Sequence, residues 1–341
     1  MRTVLLARRA MATRFEILLH GDDEPRLRAA GEEALDEIER LEAHLSLYRP
    51  ASQISRVNAR AFLEPVRVDP TVFRLLQRAG QLHRECGGVF DITIAPLVRC
   101  WGFMGGTGHM PEIAQIEEAR ARVGMDQVVL CMEDFTVRFL REGMMLDLGA
   151  IGKGYAVEQA AEILREAGIS SALVHGGTST VHAIGTPPSS EAWKVAVQSP
   201  IAEATSARAL AETGGPPEFP LEVTLATVPL KDEAMSVSAV HGRSFTAGGK
   251  TYGHVIDPRS GHPVEGALLA AVVLPSATET DALSTALLTL GPAGHKTIAS
   301  LRPGMRTLVA CRPDKSSWLQ IEAHGIELLR APGFLSGSPS F

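Results

Sequence analysis

Apolar positions recur at helical spacing in several stretches of this chain, and most of the others alternate or run together. Residues 23–46 carry Leu35, Ile38, Leu41 and Leu45 on one face of a helical repeat, which predicts a long amphipathic helix. A second helix is predicted over 69–86, opened by Asp69 and Pro70 and closed by Gly87 and Gly88. Further helices are expected over 112–122, 156–166 and 279–290, and a short one follows the turn marked by Tyr48 and Pro50. Strands are predicted at 15–21, after Gly124, at 135–140 and 144–149, on both sides of a Gly176–Gly177 turn, and at 193–200. They resume over 221–230, 235–245, 250–264 and 267–275, and runs at 307–311 and 318–329 read as edge strands. Strands come in runs rather than in βα alternation. The pattern therefore favours an α+β fold with mixed or antiparallel sheets flanked by helices, not a doubly wound parallel sheet. A single domain over 1–341 is expected, with two sublobes as an alternative arrangement. The Ala-, Glu-, Pro- and Gly-rich stretch 201–221 reads as a surface insertion.

Composition narrows the function classes. With 341 residues and 45% apolar content the chain can bury a large core. A net charge of −6 and the lack of a basic run argue against a general nucleic-acid binder. Cys86, Cys100, Cys131 and Cys311 are scattered with no CxxC pair, so free thiols are expected rather than a zinc site or disulfide framework. No apolar stretch approaches the ~20 residues of a membrane helix. The short VLLA run is followed at once by Arg8 and Arg9, which suits no signal segment. The cytoplasm is the expected location.

Candidate chemistry starts at LDLGAIGKGYA, residues 146–156. An apolar run ending in Asp147 feeds Gly149, Gly152 and Gly154, and these lead into a helix. A helix N-terminus offers unpaired N–H groups and partial positive charge, and Lys153 adds a full charge there. The stretch reads either as a phosphate or pyrophosphate cradle or as a tight strand-to-helix connection. It matches neither GxxxxGKS/T nor GxGxxG. Asp91 stands between Phe90 and Ile92, where a carboxylate needs a partner, either a ligand or a local cap. His254 and Asp257 flank a turn at 258–261, suited to a general base or a phosphate donor, or to a structural histidine. Asp281 and Thr285 lie four apart on one helical face. Acidic and hydroxyl oxygens suit a hard cation, Mg²⁺ before Zn²⁺. Ser46, Ser52, Ser55 and Asn58 read singly as caps or loop hydrogen bonds.

In their order, MATRFEI, LSLYRPASQISRVN, GGVFDITIAPLVRCWGF, DLGAIGKGYAVEQ, GGTSTVHAIG, GKTYGHVIDPRSGHPV and TDALSTALLTLG resemble the ApbE family, the FAD:protein FMN transferases. The resemblance covers most of the chain. It implies an enzyme that splits the pyrophosphate of FAD and joins FMN by a phosphoester to a Thr or Ser of an acceptor protein, releasing AMP and requiring Mg²⁺. It implies a metal site made of the Ala150 carbonyl with Asp281 and Thr285. It implies flavin-nucleotide contacts from Met11, Tyr48, Val89, Phe90, Asp91, Asp147, Lys153, His254 and Val255, with His254 or Asp257 activating the acceptor hydroxyl. The chain departs from the family pattern at Thr178, where an Asp is frequent, in SVSAVHGRS before the His254 segment, and in the longer stretch 201–221. Two other readings keep the same site: an FAD pyrophosphatase yielding FMN and AMP, and an FAD-binding protein without turnover.

Overall fold

The structure is a computed structural model that describes residues 1–200, 224–240, 242–313, 319–329 and 335–336. The expected insertion at 201–221 lies outside the described residues.

The chain opens on a strand the sequence reading did not anticipate. β1 (Arg2–Ala10) pairs along its whole length with β2 (Thr13–Gly21). Val4, Leu6 and Ala10 face inward while Leu5 faces out, so the VLLA run hides an ordinary period of two. The hairpin turns at Met11 and Ala12, both left-handed at φ 49° and 58°. Then α1 (Glu24–Leu45) buries Leu35, Ile38, Leu41 and Leu45 as its spacing predicted, and the Asp23 side chain caps it by accepting from Arg26 N–H. α2 (Gln53–Arg60), β3 (Val66–Arg67) and α3 (Pro70–Glu85) follow, the last capped by Asp69.

The stretch after Gly88 is not a core strand. It turns at Asp91 and enters a short helix, α4 (Ala95–Cys100). After α5 (Ile113–Arg120), β4 (Val128–Cys131) and β5 (Thr136–Phe139) form a small sheet with β3, in the order β3-β5-β4. Residues 144–148 form no regular element and pair with no strand, so the strand expected at 144–149 is absent. α6 (Gly152–Glu166) starts four residues earlier than expected and takes two of the three glycines into its first turn.

β6 (Ser171–Gly176), β7 (Thr180–Gly185), β8 (Trp193–Gln198), β9 (Thr224–Leu230) and β10 (Ala234–Ala239) come next. They are followed by the hairpin β11 (Ser244–Ala247) and β12 (Lys250–Gly253), then β13 (Leu269–Leu274) and α7 (Ala277–Leu290). α8 (His295–Ala299), β14 (Arg306–Cys311), β15 (Gln320–His324) and β16 (Leu335–Ser336) close the described chain. The main sheet has nine strands in the order β1-β2-β6-β7-β10-β13-β14-β15-β16, antiparallel except at β15–β16. Hence β14 is an interior strand, not the edge strand its sequence suggested, which accounts for its almost continuous burial.

β13 shows how the layers meet. Its Ala270, Val272 and Leu274 belong to the main core under α1, α6 and α7. Its Leu269, Ala271 and Val273 belong to a second core under the β8–β9 hairpin, with Trp193, Val197 and Val228. A strand covered on both faces reads as an unbroken apolar run, as LAAVVL does. A third, separate core gathers Leu97, Trp101, Phe103, Ile116 and Ile256 against Phe245 and Tyr252 of the β11–β12 hairpin. No helix among the described residues is long and apolar enough to cross a membrane.

His182, on β7, is only 1% exposed. Its Nε2 accepts from the Arg165 guanidinium at 2.8 Å, and its Nδ1 is buried without a partner. Burial, and after it the charge of Arg165, push its pKa down to about 3. Below its ordinary value of 6.5 the unfolded chain takes up a proton that the folded chain refuses, so stability falls as pH drops from 6.5 towards 3. Urea unfolding at pH 7 and pH 5 should therefore show His182→Gln losing about 2 kcal/mol less than the native chain. An equal loss in both would remove His182 as the source.

Candidate active site

Helix α6 presents its N-terminus to α7, and the two cross at Gly154. A Cβ on Gly154 would stand 2.2 Å from the Ala277 carbonyl oxygen and 2.6 Å from Asp281 Cβ, so only glycine permits this approach. The contact delivers Asp281, 4% exposed, to the helix end, where its Oδ2 accepts from Gly154 N–H at 2.9 Å. A helix one residue longer would give that N–H to the Ala150 carbonyl. Among the described residues the Ala150 carbonyl receives no hydrogen bond. Among the described residues Asp281 Oδ1 has no donor within hydrogen-bond range, and it faces Lys153 Nζ at 3.9 Å.

Thr285 lies one turn along α7, donating to the Asp281 carbonyl at 3.2 Å and lying 3.1 Å from Ser238 Oγ. A free carboxylate oxygen, a hydroxyl and an uncommitted carbonyl are hard oxygen donors, and they fit Mg²⁺ better than a thiophilic metal. Of the expected metal set, Asp281 and Thr285 lie together on α7 with Ser238 of β10 beside Thr285, and Ala150 precedes the α6 N-terminus that Asp281 meets at Gly154.

Lys153 sits in the first turn of α6, where a cation opposes the helix dipole. It is held by the Gly149 carbonyl at 3.1 Å and by Asp281. A residue that breaks a local rule in this way marks a site where negative charge is expected. Asp147 stands just before it. Its Oδ1 accepts from Gly149 N–H at 2.8 Å, and its own N–H donates to the Ile92 carbonyl at 2.7 Å. Burial pushes its pKa up, against the pull of Gly149 N–H, Lys153 and Arg243.

Asn58 holds the preceding peptide from both sides. Its Oδ1 accepts from Leu146 N–H at 2.7 Å and its Nδ2 donates to the Leu146 carbonyl at 3.0 Å. The run 144–148 is thus pinned by a side chain and a turn rather than by a strand partner. Taken singly in sequence, Asn58 read as a local cap.

His254 leaves β12 with its main-chain N–H on the Arg243 carbonyl at 3.1 Å and its Nδ1 3.2 Å from the same oxygen. That acceptor places the ring proton on Nδ1 and leaves Nε2 with a lone pair. Burial lowers its pKa, the Arg243 carbonyl raises it, and the charges of Arg243 and Lys153 lower it further. Asp257 is differently placed. Both its oxygens are taken by Arg259, at 3.0 Å to Nε and 2.8 Å to Nη2, so it fixes the turn and is not free to accept a substrate proton.

The remaining expected contacts divide. The Asp91 carboxylate accepts from Thr93 N–H at 2.7 Å and Thr93 Oγ1 at 2.6 Å and lies 3.3 Å from His83 Nδ1, while burial raises its pKa. The costly carboxylate thus has local partners in the turn, although it does not cap α4, whose N-cap is Ile94. Val89 and Phe90 are buried in the main core at 2% exposure each, which leaves only their main chain to meet a ligand. Val255 and Met11 pack partly against that core, and Tyr48 is 57% exposed with no tie to the Asp281 cluster.

The ApbE family model matches residues 11–309. A Klebsiella pneumoniae protein named FAD:protein FMN transferase is 30% identical over 267 residues, covering 78% of this chain and 76% of that protein. The Escherichia coli K12 protein of the same name is 26% identical over 299 residues, covering 86% of this chain and 80% of that one. Among solved structures, the ApbE protein of Thermotoga maritima superposes with TM-score 0.78 at 25% identity, covering 90% of this chain and 94% of that one. The apo flavinyl transferase ApbE of Pseudomonas stutzeri gives TM-score 0.78 at 25% identity, covering 95% of each chain. The family match spans residues 11–309, most of the chain, and the chain belongs to the ApbE family.

Proposed function

We propose that this chain is an FAD:protein FMN transferase whose phosphate and cation sites meet at the Gly154 crossing. The observation that carries the reading is the pairing of Lys153 with Asp281 at the N-terminus of α6. Phosphoryl transfer needs charge neutralised on the phosphate oxygens and a nucleophile held in line. Lys153, at the N-terminal end of α6, binds the pyrophosphate. Ala150, Asp281 and Thr285 would hold Mg²⁺, which when bound withdraws charge from the pyrophosphate oxygens. His254 Nε2 takes the proton of an acceptor Thr or Ser hydroxyl. The hydroxyl oxygen forms a bond to the FMN phosphorus, the bond from that phosphorus to the bridging oxygen breaks, and AMP leaves with that oxygen. The acceptor is another protein carrying the Thr or Ser.

The deciding experiment incubates the protein with FAD and Mg²⁺, with and without a Thr-containing acceptor domain, and reads intact mass and nucleotides together. An acceptor heavier by one FMN phosphoester, with AMP released, is the expected result. FMN and AMP without labelling would make the protein a pyrophosphatase, and intact bound FAD would make it a flavin-binding protein.

Lys153→Ala removes a charge-assisted contact to phosphate, so the FAD dissociation constant should rise about tenfold or more by titration. An unaltered constant would take Lys153 out of the site.

A further inference from the structure

The β11–β12 hairpin brings a second cation beside His254, and neither composition nor motif spacing singles it out. Arg243 stands directly before β11, opposite His254 at the open end of the hairpin. The two share one support. Phe103 gives its carbonyl to Arg243 Nη1 at 3.4 Å and sets its ring edge-on to His254, with centroids 6.5 Å apart. Trp101 lies tilted against Phe245 and Tyr252, and the last two stack 5.3 Å apart, so the hairpin base rests on an aromatic cluster.

The guanidinium itself is exposed, and its bond to Phe103 is long. Among the described residues no carboxylate lies within ion-pair distance of it, whereas Lys153 has Asp281. Both Arg243 and Lys153 exert their charge on the same two groups, Asp147 and His254. With Lys153 facing Asp281, Arg243 is the cation beside His254 that no carboxylate among the described residues pairs. An arginine fork matches two phosphate oxygens better than a point charge does.

We propose that Arg243 is a substrate contact that grips the pyrophosphate of the nucleotide from the hairpin, as Lys153 does from α6. This rests on the reading of the site as an FAD site. It also sets the order of parts: the residue whose carbonyl orients the base also holds the phosphoryl group that the base serves.

The test is equilibrium binding without any acceptor, comparing FAD with riboflavin, which has the isoalloxazine and ribityl parts but no phosphate. Arg243→Ala should raise the FAD dissociation constant about tenfold to a hundredfold and leave that of riboflavin unchanged. Arg243→Lys should recover part of the loss. Added salt should weaken FAD binding less in Arg243→Ala than in the native chain.

Equal weakening for FAD and riboflavin would mean a structural role and overturn the proposal, as would unchanged FAD binding. A native chain that fails to prefer FAD over riboflavin would overturn it too. Transfer activity enters none of these readings. A native chain that binds FAD but neither labels an acceptor nor releases AMP would sink the transferase assignment while the Arg243 comparison still stands.

Discussion

Asp281→Asn is expected to lower FMN transfer by at least about a hundredfold while leaving thermal unfolding close to that of the native chain. Asparagine keeps the shape of aspartate and retains an oxygen that can accept from Gly154 N–H, as Asp281 Oδ2 does at 2.9 Å. It removes the negative charge that a hard cation requires and that Lys153 faces at 3.9 Å. Asp281→Ala should be equally inactive but less stable. Unlike asparagine, alanine strands the buried Gly154 N–H at the helix crossing, at a cost of about 1–3 kcal/mol. The pair of variants separates chemistry from folding. Transfer rates near native in Asp281→Asn would overturn the cation assignment. Activity measured across a Mg²⁺ titration should show the residual rate of the Asn variant to be insensitive to the metal.

His254→Gln should cost about a hundredfold to ten-thousandfold in transfer rate, the usual range for removing a positioned base. Its pH profile is the sharper signature. In the folded protein the imidazole is harder to protonate than an ordinary histidine of pKa 6.5, chiefly through burial and then through the charges of Arg243 and Lys153. The base form therefore persists to lower pH. The acid limb of kcat/KM in the native chain should fall below pH 6.5 and should be missing from the residual activity of His254→Gln. Asp257→Asn is the contrast, because its carboxylate is occupied by Arg259 at 2.8 Å and 3.0 Å. It should disturb the turn and lower the rate without removing that limb. An acid limb that survives in His254→Gln and vanishes in Asp257→Asn would exchange the two roles.

Much of this arrangement was legible in the chain because it rests on patterns that local physics enforces. The face of α1, the Asp69 cap of α3 and the four-residue spacing of Asp281 and Thr285 follow from helical geometry alone. The α+β class followed from strands arriving in runs. Other features depend on contacts between distant segments. Gly154 read as a turn residue, yet it sits inside a helix because Ala277 and Asp281 press against it from α7. Residues 144–148 read as a strand because they are apolar, but Asn58, 88 positions away, takes the hydrogen bonds a partner strand would have made. β14 read as an edge because it lies late in the chain, while the sheet order encloses it between β13 and β15. Arg243 carries no motif, and it becomes visible only when the hairpin brings it beside His254. Asp91 looked costly among apolar residues, and Thr93, two positions on, supplies the partners for one of its oxygens.

The aromatic seat of the β11–β12 hairpin is a core of its own, distinct from the core that carries the α6–α7 crossing. The groups proposed to bind the cation and those proposed to move the proton therefore rest on different cores, which meet where Val240 and Val255 pack against the main one. Regions with small independent cores open at lower free energy than the body they rest on. Loosening around Trp101 would release His254 and Arg243 together while Asp281, Lys153 and the main sheet stayed folded. Such a molecule would keep its grip on part of the nucleotide and lose the ability to pass it on. Transfer would then fail on heating before global unfolding begins, and a melting temperature alone would overstate how long the enzyme works.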